Sequence, residues 1–245
     1  MHNELIHKKL IRRSENLIVV DNLYDDSTFS NYYQVVMNQD EILGNDFDIY
    51  KNHFKSMAIL EIGSGTGRVF NRLFIEGYNI YGIEPSIEMS KYILNEGRDR
   101  VYPLTLQQID QFPIHDINIV IIPATSISLF SHKDFEEFLE YLIKKQTSIN
   151  RIIFDFLNDD FFTQSMDIIH SHTIGSDKFY SVNFFDSSKD RIIYNLVNSE
   201  KIGISIKYAY SLEKIVSIFK KFGMTLNIIT NTDSYVMVEG IFNDE

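Results

Sequence analysis

Met57-Ala58-Ile59-Leu60-Glu61-Ile62-Gly63-Ser64-Gly65-Thr66-Gly67-Arg68 is an apolar, strand-like run that ends in an acid and opens into three alternating glycines. Glycine has no Cβ and takes positive φ freely, so a strand-to-helix turn built this way lets a ligand approach bare backbone. A dinucleotide turn wants Gly-x-Gly-x-x-Gly. Here the glycines fall at 63, 65 and 67, and Arg68 stands where a pyrophosphate site wants its third glycine. The helix that follows, Val69-Phe70-Asn71-Arg72-Leu73-Phe74, carries an apolar stripe, and a second strand, Tyr78-Asn79-Ile80-Tyr81-Gly82-Ile83, ends at Glu84. A carboxylate at that strand end can accept both hydroxyls of a ribose.

Glu61-x-Gly63-x-Gly65-x-Gly67 followed by Gly82-Ile83-Glu84-Pro85-Ser86-x-x-Met89 resembles the class I S-adenosylmethionine-dependent methyltransferases. The resemblance covers most of the chain from Tyr24 onward and implies S-adenosylmethionine as cofactor. In that family the glycine turn approaches the methionine part of the cofactor and the second-strand acid binds its ribose. Those roles fall to Glu61, Gly63, Ser64, Gly65, Gly67 and Glu84, with Pro85 beside the acid. After the third strand the family commonly has an acid for the adenine amino group. Gln108-Ile109 stand there in this chain, and Gln108 can accept only as a neutral amide. Pro123, at the end of the fourth strand, completes the expected cofactor-contacting set.

Two further stretches bear on the reacting groups. Ile121 to Phe130 is similar to the strand-end segment of small-molecule methyltransferases, including aminosugar N-methyltransferases, which often place a histidine late in it. This chain has Leu129 and Phe130 there, so His132 is the nearest substitute for a base. Upstream, Leu23-Tyr24-Asp25-Asp26 with Asn31-Tyr32-Tyr33 is similar to the N-terminal segment that folds over the active site in the same enzymes. On that analogy Tyr24 touches cofactor or reacting amine, with Tyr33 second. Adjacent residues divide between core and surface, so only one of Tyr32 and Tyr33 is expected to face the pocket.

The wider pattern reads as an α/β, Rossmann-like methyltransferase sheet with helices on both faces, an N-terminal helical cover and an antiparallel β insertion. The 245 residues suit a single domain: residues 1–52 as cover, 53–157 as cofactor-binding core, 158–208 as insertion and 209–245 as closing helix and strands. Met1 to Arg13 is charged and helix-like. Ser86 caps a helix expected to run through Glu96 to Gly97. Val101–Thr105, Ile117–Ile122 and Arg151–Phe156 read as strands, and Asp134–Lys145 as a helix. Three strand-like runs, 179–185, 191–197 and 202–208, are joined by short polar links, with 186–190 as a hairpin turn. Their aromatic content fits either a small subsheet or a lid.

Composition narrows the function. A net charge of −11 speaks against a nucleic-acid partner, and Pro123-Ala124-Thr125 lacks the Asn/Asp-Pro-Pro-Tyr/Phe pattern of enzymes that methylate nucleobase amines. The absence of cysteine removes thiolate metal sites and a thiol nucleophile. No metal is expected: His170/His172 and Asp159/Asp160 read as loop polar residues. With no signal segment and no membrane span, the expected location is the cytoplasm. The expectation is therefore methyl transfer to a small-molecule acceptor, an amine ahead of a hydroxyl. A catalytically silent, cofactor-binding partner and a Rossmann oxidoreductase remain as alternatives.

Overall fold

The structure, a computed structural model, describes residues 3–37, 46–54, 57–145, 148–158 and 163–243. Asp159 and Asp160 lie outside the described residues. A short strand, β1 (Ile18–Val20), precedes the main sheet. The core strands are β2 (Ala58–Ile62), β3 (Asn79–Ile83), β4 (Val101–Tyr102), β5 (Ile119–Ile122) and β6 (Arg151–Leu157). The insertion holds β7 (His170–Ile174), β8 (Asp177–Asp186), β9 (Arg191–Val197) and β10 (Lys201–Lys207), and the chain closes with β11 (Thr225–Asn231) and β12 (Tyr235–Ile241).

Seven strands form the larger sheet in the order β11-β12-β6-β5-β2-β3-β4. β2 to β6 run parallel, whereas β12 is antiparallel to both β6 and β11. β2 pairs β3 on one side and β5 on the other, so the chain reverses its winding at β2 and leaves a crevice beyond the strand ends there.

Both faces are covered, as the continuous apolar composition of the parallel strands requires. The helices are α1 (Ile11–Ser14), α2 (Ser27–Met37), α3 (Asp46–Asn52), α4 (Phe70–Ile75), α5 (Ile87–Ser90), α6 (His132–Lys145) and α7 (Leu212–Lys221). On one face Leu60, Val120 and Ile122 meet Phe135, Phe138, Leu139 and Leu142 of α6 and Ile215, Ile218 and Phe219 of α7. That spacing puts one helix stripe against the sheet. On the other face Ile59, Ile119 and Ile121 meet Phe47 and Tyr50 of α3 and Phe70 and Leu73 of α4. Strand alternation sends Glu61 to the same face as Ile59.

The insertion is a second, five-stranded sheet, β1-β10-β9-β8-β7, with β1 parallel to β10 and the other pairs antiparallel. One face packs on Ile6 and Leu10. The opposite face packs on Leu23 and on Phe29, Tyr32 and Val36 of α2. It is thus a subsheet with a core on each side, built on both the N-terminal segment and the insertion.

Several local expectations are corrected. The N-terminus is not one helix: the side chain of Asn195 accepts from the His7 backbone N–H and donates to the Leu5 carbonyl, breaking helical continuity. The cover is not purely helical, since β1 joins the insertion sheet. The helix capped by Ser86 stops at Ser90, because Asn71 donates to the Tyr92 carbonyl and accepts from the Leu94 N–H. β4 ends at Tyr102, where Pro103 has no N–H to continue the ladder. β7, which carries His170 and His172, adds a polar strand that sequence reading left as loop. Among the described residues no helix is long and apolar enough to cross a membrane, and no cluster of His, Cys, Asp and Glu could hold a metal.

Candidate active site

The glycine turn follows β2 directly, with Gly63, Gly65 and Gly67 at φ of +71°, +55° and +81°. These are backbone conformations that L side chains rarely adopt. The glycines divide by task. A Cβ on Gly63 would meet Ser126, and one on Gly65 would meet Met89 and the Gly63 carbonyl, none nearer than 3.5 Å, so these two leave the backbone open to a ligand. A Cβ on Gly67 would fall 2.6 Å from Asn71 Nδ2, the side chain that ends the helix after Ser86. Gly82 on β3 leaves room for Ser64, whose Oγ lies 2.2 Å from where its Cβ would be.

Glu84 sits just past β3, buried. Gly65 N–H donates to its Oε2 at 2.8 Å and Ser86 N–H to its Oε1 at 2.8 Å. Burial raises its pKa, and these two donors oppose the shift. Each carboxylate oxygen keeps a further lone pair for a hydroxyl. Glu61 is also buried, and burial holds its carboxyl well above the usual carboxylate range against the pull of Arg68. Among the described residues, Glu61 Oε2 and Ser64 Oγ are buried without a hydrogen bond of good geometry, although the Ser64 hydroxyl lies near enough to Glu61 to draw its pKa down against burial.

The N-terminal segment closes over this corner. Ser86 Oγ donates to the Tyr24 carbonyl at 2.6 Å. Tyr24 and Tyr33 stack at a tilted 5.2 Å between ring centroids, while Tyr32 turns to Phe179 at 4.9 Å. Tyr33 is therefore the member of the pair that joins Tyr24. Burial raises the pKa of both the Tyr24 and Tyr33 phenols, so each is a hydrogen-bond donor at neutral pH rather than a phenolate.

The loop after β5 is held in an uncommon shape. Ala124 and Thr125 take φ of +60° and +56°, a conformation that strains a β-branched residue. Asp155 of β6 fixes it, accepting from Thr125 N–H at 2.6 Å and Ala124 N–H at 3.1 Å. Tyr50 donates its hydroxyl to the same carboxylate at 2.7 Å, and burial pushes Asp155 up to about 6. Next to this network, Arg68 pairs with the buried Asp46 of α3, one contact measuring 2.8 Å. α3, the glycine turn and the β5 loop are thus fastened by one set of buried polar groups.

The remaining expected residues are placed as follows. Pro123 is buried at the end of β5 and Pro85 is exposed beside Glu84. Ile109 lies in the core under the sheet. Gln108 has its amide oxygen taken by the Thr105 N–H at 3.0 Å and the Thr105 hydroxyl at 3.2 Å, closing a cap for the short helical turn it stands in. That oxygen is thus engaged within its own turn. His132 starts α6, where its Nε2 meets the Ala209 carbonyl at 2.9 Å and its ring meets the Tyr210 ring. That clamp is a structural occupation, and the cluster of Tyr24 and Tyr33 forms without it.

Sequence reading missed Asp155, Asp46 and the insertion's Tyr194, Ser205 and Lys207. Asp155 carried a signal, an acid inside an otherwise apolar buried strand. The insertion residues carried none, because only the fold brings β9 and β10 to this corner.

No family model matches the chain. An uncharacterized methyltransferase of Bacillus cytotoxicus is 26% identical over 207 residues, covering 84% of this chain and 85% of that one. A solved S-adenosylmethionine-dependent methyltransferase from Clostridium acetobutylicum superposes with a TM-score of 0.66 at 15% identity, over 87% of this chain and 99% of that chain. A sugar N-methyltransferase from Streptoalloteichus gives a TM-score of 0.63 at 11% identity, over 87% and 93%. The resemblance read from the motifs is borne out: the chain has the class I methyltransferase fold, and the relative it matches in sequence is a methyltransferase.

Proposed function

We propose that this chain is an S-adenosylmethionine-dependent methyltransferase that acts on a small molecule, with an amine as acceptor. The observation that carries the reading is Glu84: a buried carboxylate at the end of β3, bonded to the N–H of Gly65 and so fixed against the open glycine turn. Glu61 Oε2 and Ser64 Oγ, buried close together without a well-formed hydrogen bond, fit the cofactor's polar methionine end, and Glu84 fits its ribose.

When bound, the cofactor supplies an electrophilic methyl group on a sulfonium. The chain's own residues align, exclude water and handle a proton. The insertion sheet and α2 cover the corner, and Tyr24 and Tyr33 present hydroxyl donors beside it. An aliphatic amine is mostly protonated at neutral pH, and reaching its neutral form costs on the order of 4–5 kcal/mol. A largely desolvated site favours the neutral amine. The sugar N-methyltransferase neighbour supports the choice of amine.

The test is transfer of labelled methyl from S-adenosylmethionine to a panel of small amines, alcohols and phenols. Turnover on amines above the alcohols is the expected result. Turnover confined to hydroxyls removes the amine assignment, and cofactor binding without turnover on any class points to the silent-partner alternative.

A further inference from the structure

In the insertion sheet, Lys207, Ser205 and Gly203 of β10 pair directly with Ile192, Tyr194 and Leu196 of β9, so all six share one face. Asn183 of β8 joins them opposite Tyr194. The Gly203 end of this face is filled: a Cβ there would sit 2.6 Å from Phe29. Toward the other end the face turns polar and leaves the packed core of α2.

That end abuts the candidate site. The N–H of Tyr208, the residue after Lys207, donates to the Ser128 carbonyl at 2.7 Å, which stitches β10 to the segment following β5. Lys207 therefore stands between the insertion's polar face and the loop shaped by Asp155.

Lys207 lacks a partner suited to its charge. Its Nζ lies 4.4 Å from the centroid of the Tyr194 ring, and among the described residues no carboxylate pairs with it. Lys207 is half-buried, and drawing an ammonium from water without an anion is costly, a cost that one cation–π contact only partly offsets. On the same face the Asn183 Oδ1 is buried with no hydrogen-bond partner. Asn183 stands opposite Tyr194 on β8 and the Lys207 ammonium lies against the same ring from β10, so two unmet polar groups flank Tyr194, an arrangement that fits a ligand bringing both an anion and a donor.

Resting on the methyltransferase reading, we propose that the acceptor carries an anionic group, a carboxylate or a phosphate, and that Lys207 holds it. Burial lowers the Lys207 ammonium to about 8, so it is still mostly charged at neutral pH and gains the rest of its charge when an anion arrives. Tyr194 beneath it fixes the direction of the ammonium. The amine end of the same acceptor then lies toward Tyr24, whose hydroxyl interacts with Ser205.

The test uses protein with isotopically labelled lysine Cε, in complex with S-adenosylhomocysteine, titrated separately with acetate and with inorganic phosphate. The Lys207 signal is assigned by its loss in Lys207→Met and in Lys207→Gln, either variant sufficing. The expected result is a saturable shift of that signal at about tenfold lower anion concentration than the surface lysines need. A response to acetate alone assigns a carboxylate and a response to phosphate alone a phosphate ester. A Lys207 signal that moves only in step with the surface lysines, while S-adenosylhomocysteine binds normally by calorimetry, overturns this inference alone. Failure of wild type to bind S-adenosylhomocysteine removes the methyltransferase reading and this inference with it.

Discussion

The hydroxyl of Ser86 donates to the carbonyl of Tyr24 at 2.6 Å across 62 residues of sequence. The same oxygen accepts from the Met89 N–H and caps α5. One side chain therefore starts the helix after the second-strand acid and pins the N-terminal tyrosine segment above it.

Ser86→Ala is expected to lose about 1 kcal/mol of stability from the cap alone. It is also expected to loosen Tyr24, so the Michaelis constant for acceptor should rise more than the stability loss accounts for. Urea unfolding and steady-state kinetics on the same preparation check both parts. A stability loss with unchanged kinetics would leave Ser86 a cap only.

The glycines separate by substitution. Gly82→Ala drives a methyl into Ser64 Oγ, an overpacking change expected to lose about 1–3 kcal/mol of stability. Gly65→Ala meets no close neighbour but holds a positive φ, so its stability loss is expected at about 1–2 kcal/mol. Its loss of cofactor affinity should be the larger effect, because the added methyl occupies the open face of the turn. Calorimetric titration beside denaturant unfolding distinguishes the two variants.

Asp155 gives a pH signature. Its carboxyl titrates near 6 in the folded chain and near 3.9 when unfolded. Between those values the folded state keeps a proton that the unfolded state has released, so stability falls as pH rises through this window and levels off above it. Asp155→Asn removes that contribution. The stability of wild type relative to the variant is expected to drop by on the order of 2 kcal/mol from pH 4 to pH 6, measured by urea unfolding across the range. A constant difference would contradict the account.

Much of the main sheet was legible because its signals are local. Ile119 to Ile122 and Ala58 to Ile62 are continuous apolar runs, Gly63, Gly65 and Gly67 mark the turn, and Ser211 caps α7 by accepting from Lys214 N–H. What sequence could not show depends on distant partners. Asn71 cuts the helix after Ser86 from 21 residues away, and Asn195 breaks the N-terminal helix from 188 residues away. The candidate site divides the same way. Glu61 and Glu84 are acids near strand ends, readable from their place in a motif, whereas the segment following β5 meets β10 through the Tyr208 N–H bond to the distant Ser128.

Tyr24 and Tyr33 act through neutral hydroxyls in this account, since burial keeps both protonated. Tyr24→Phe is expected to lower kcat by about tenfold, the loss of one hydrogen bond that positions the reacting groups, with cofactor affinity nearly unchanged. Single-turnover kinetics with calorimetry on the variant checks it, and an equal loss in affinity would make Tyr24 a cofactor contact instead.

The central claim is that Glu84 and the glycine turn hold the cofactor, and titration of S-adenosylhomocysteine and NAD into wild type and Glu84→Gln tests it most directly. Wild type is expected to bind S-adenosylhomocysteine in preference to NAD, and Glu84→Gln to lose about tenfold or more of that affinity, some 1.4 kcal/mol, while remaining folded. Equal affinity in the two proteins, or a preference for NAD, would contradict the account.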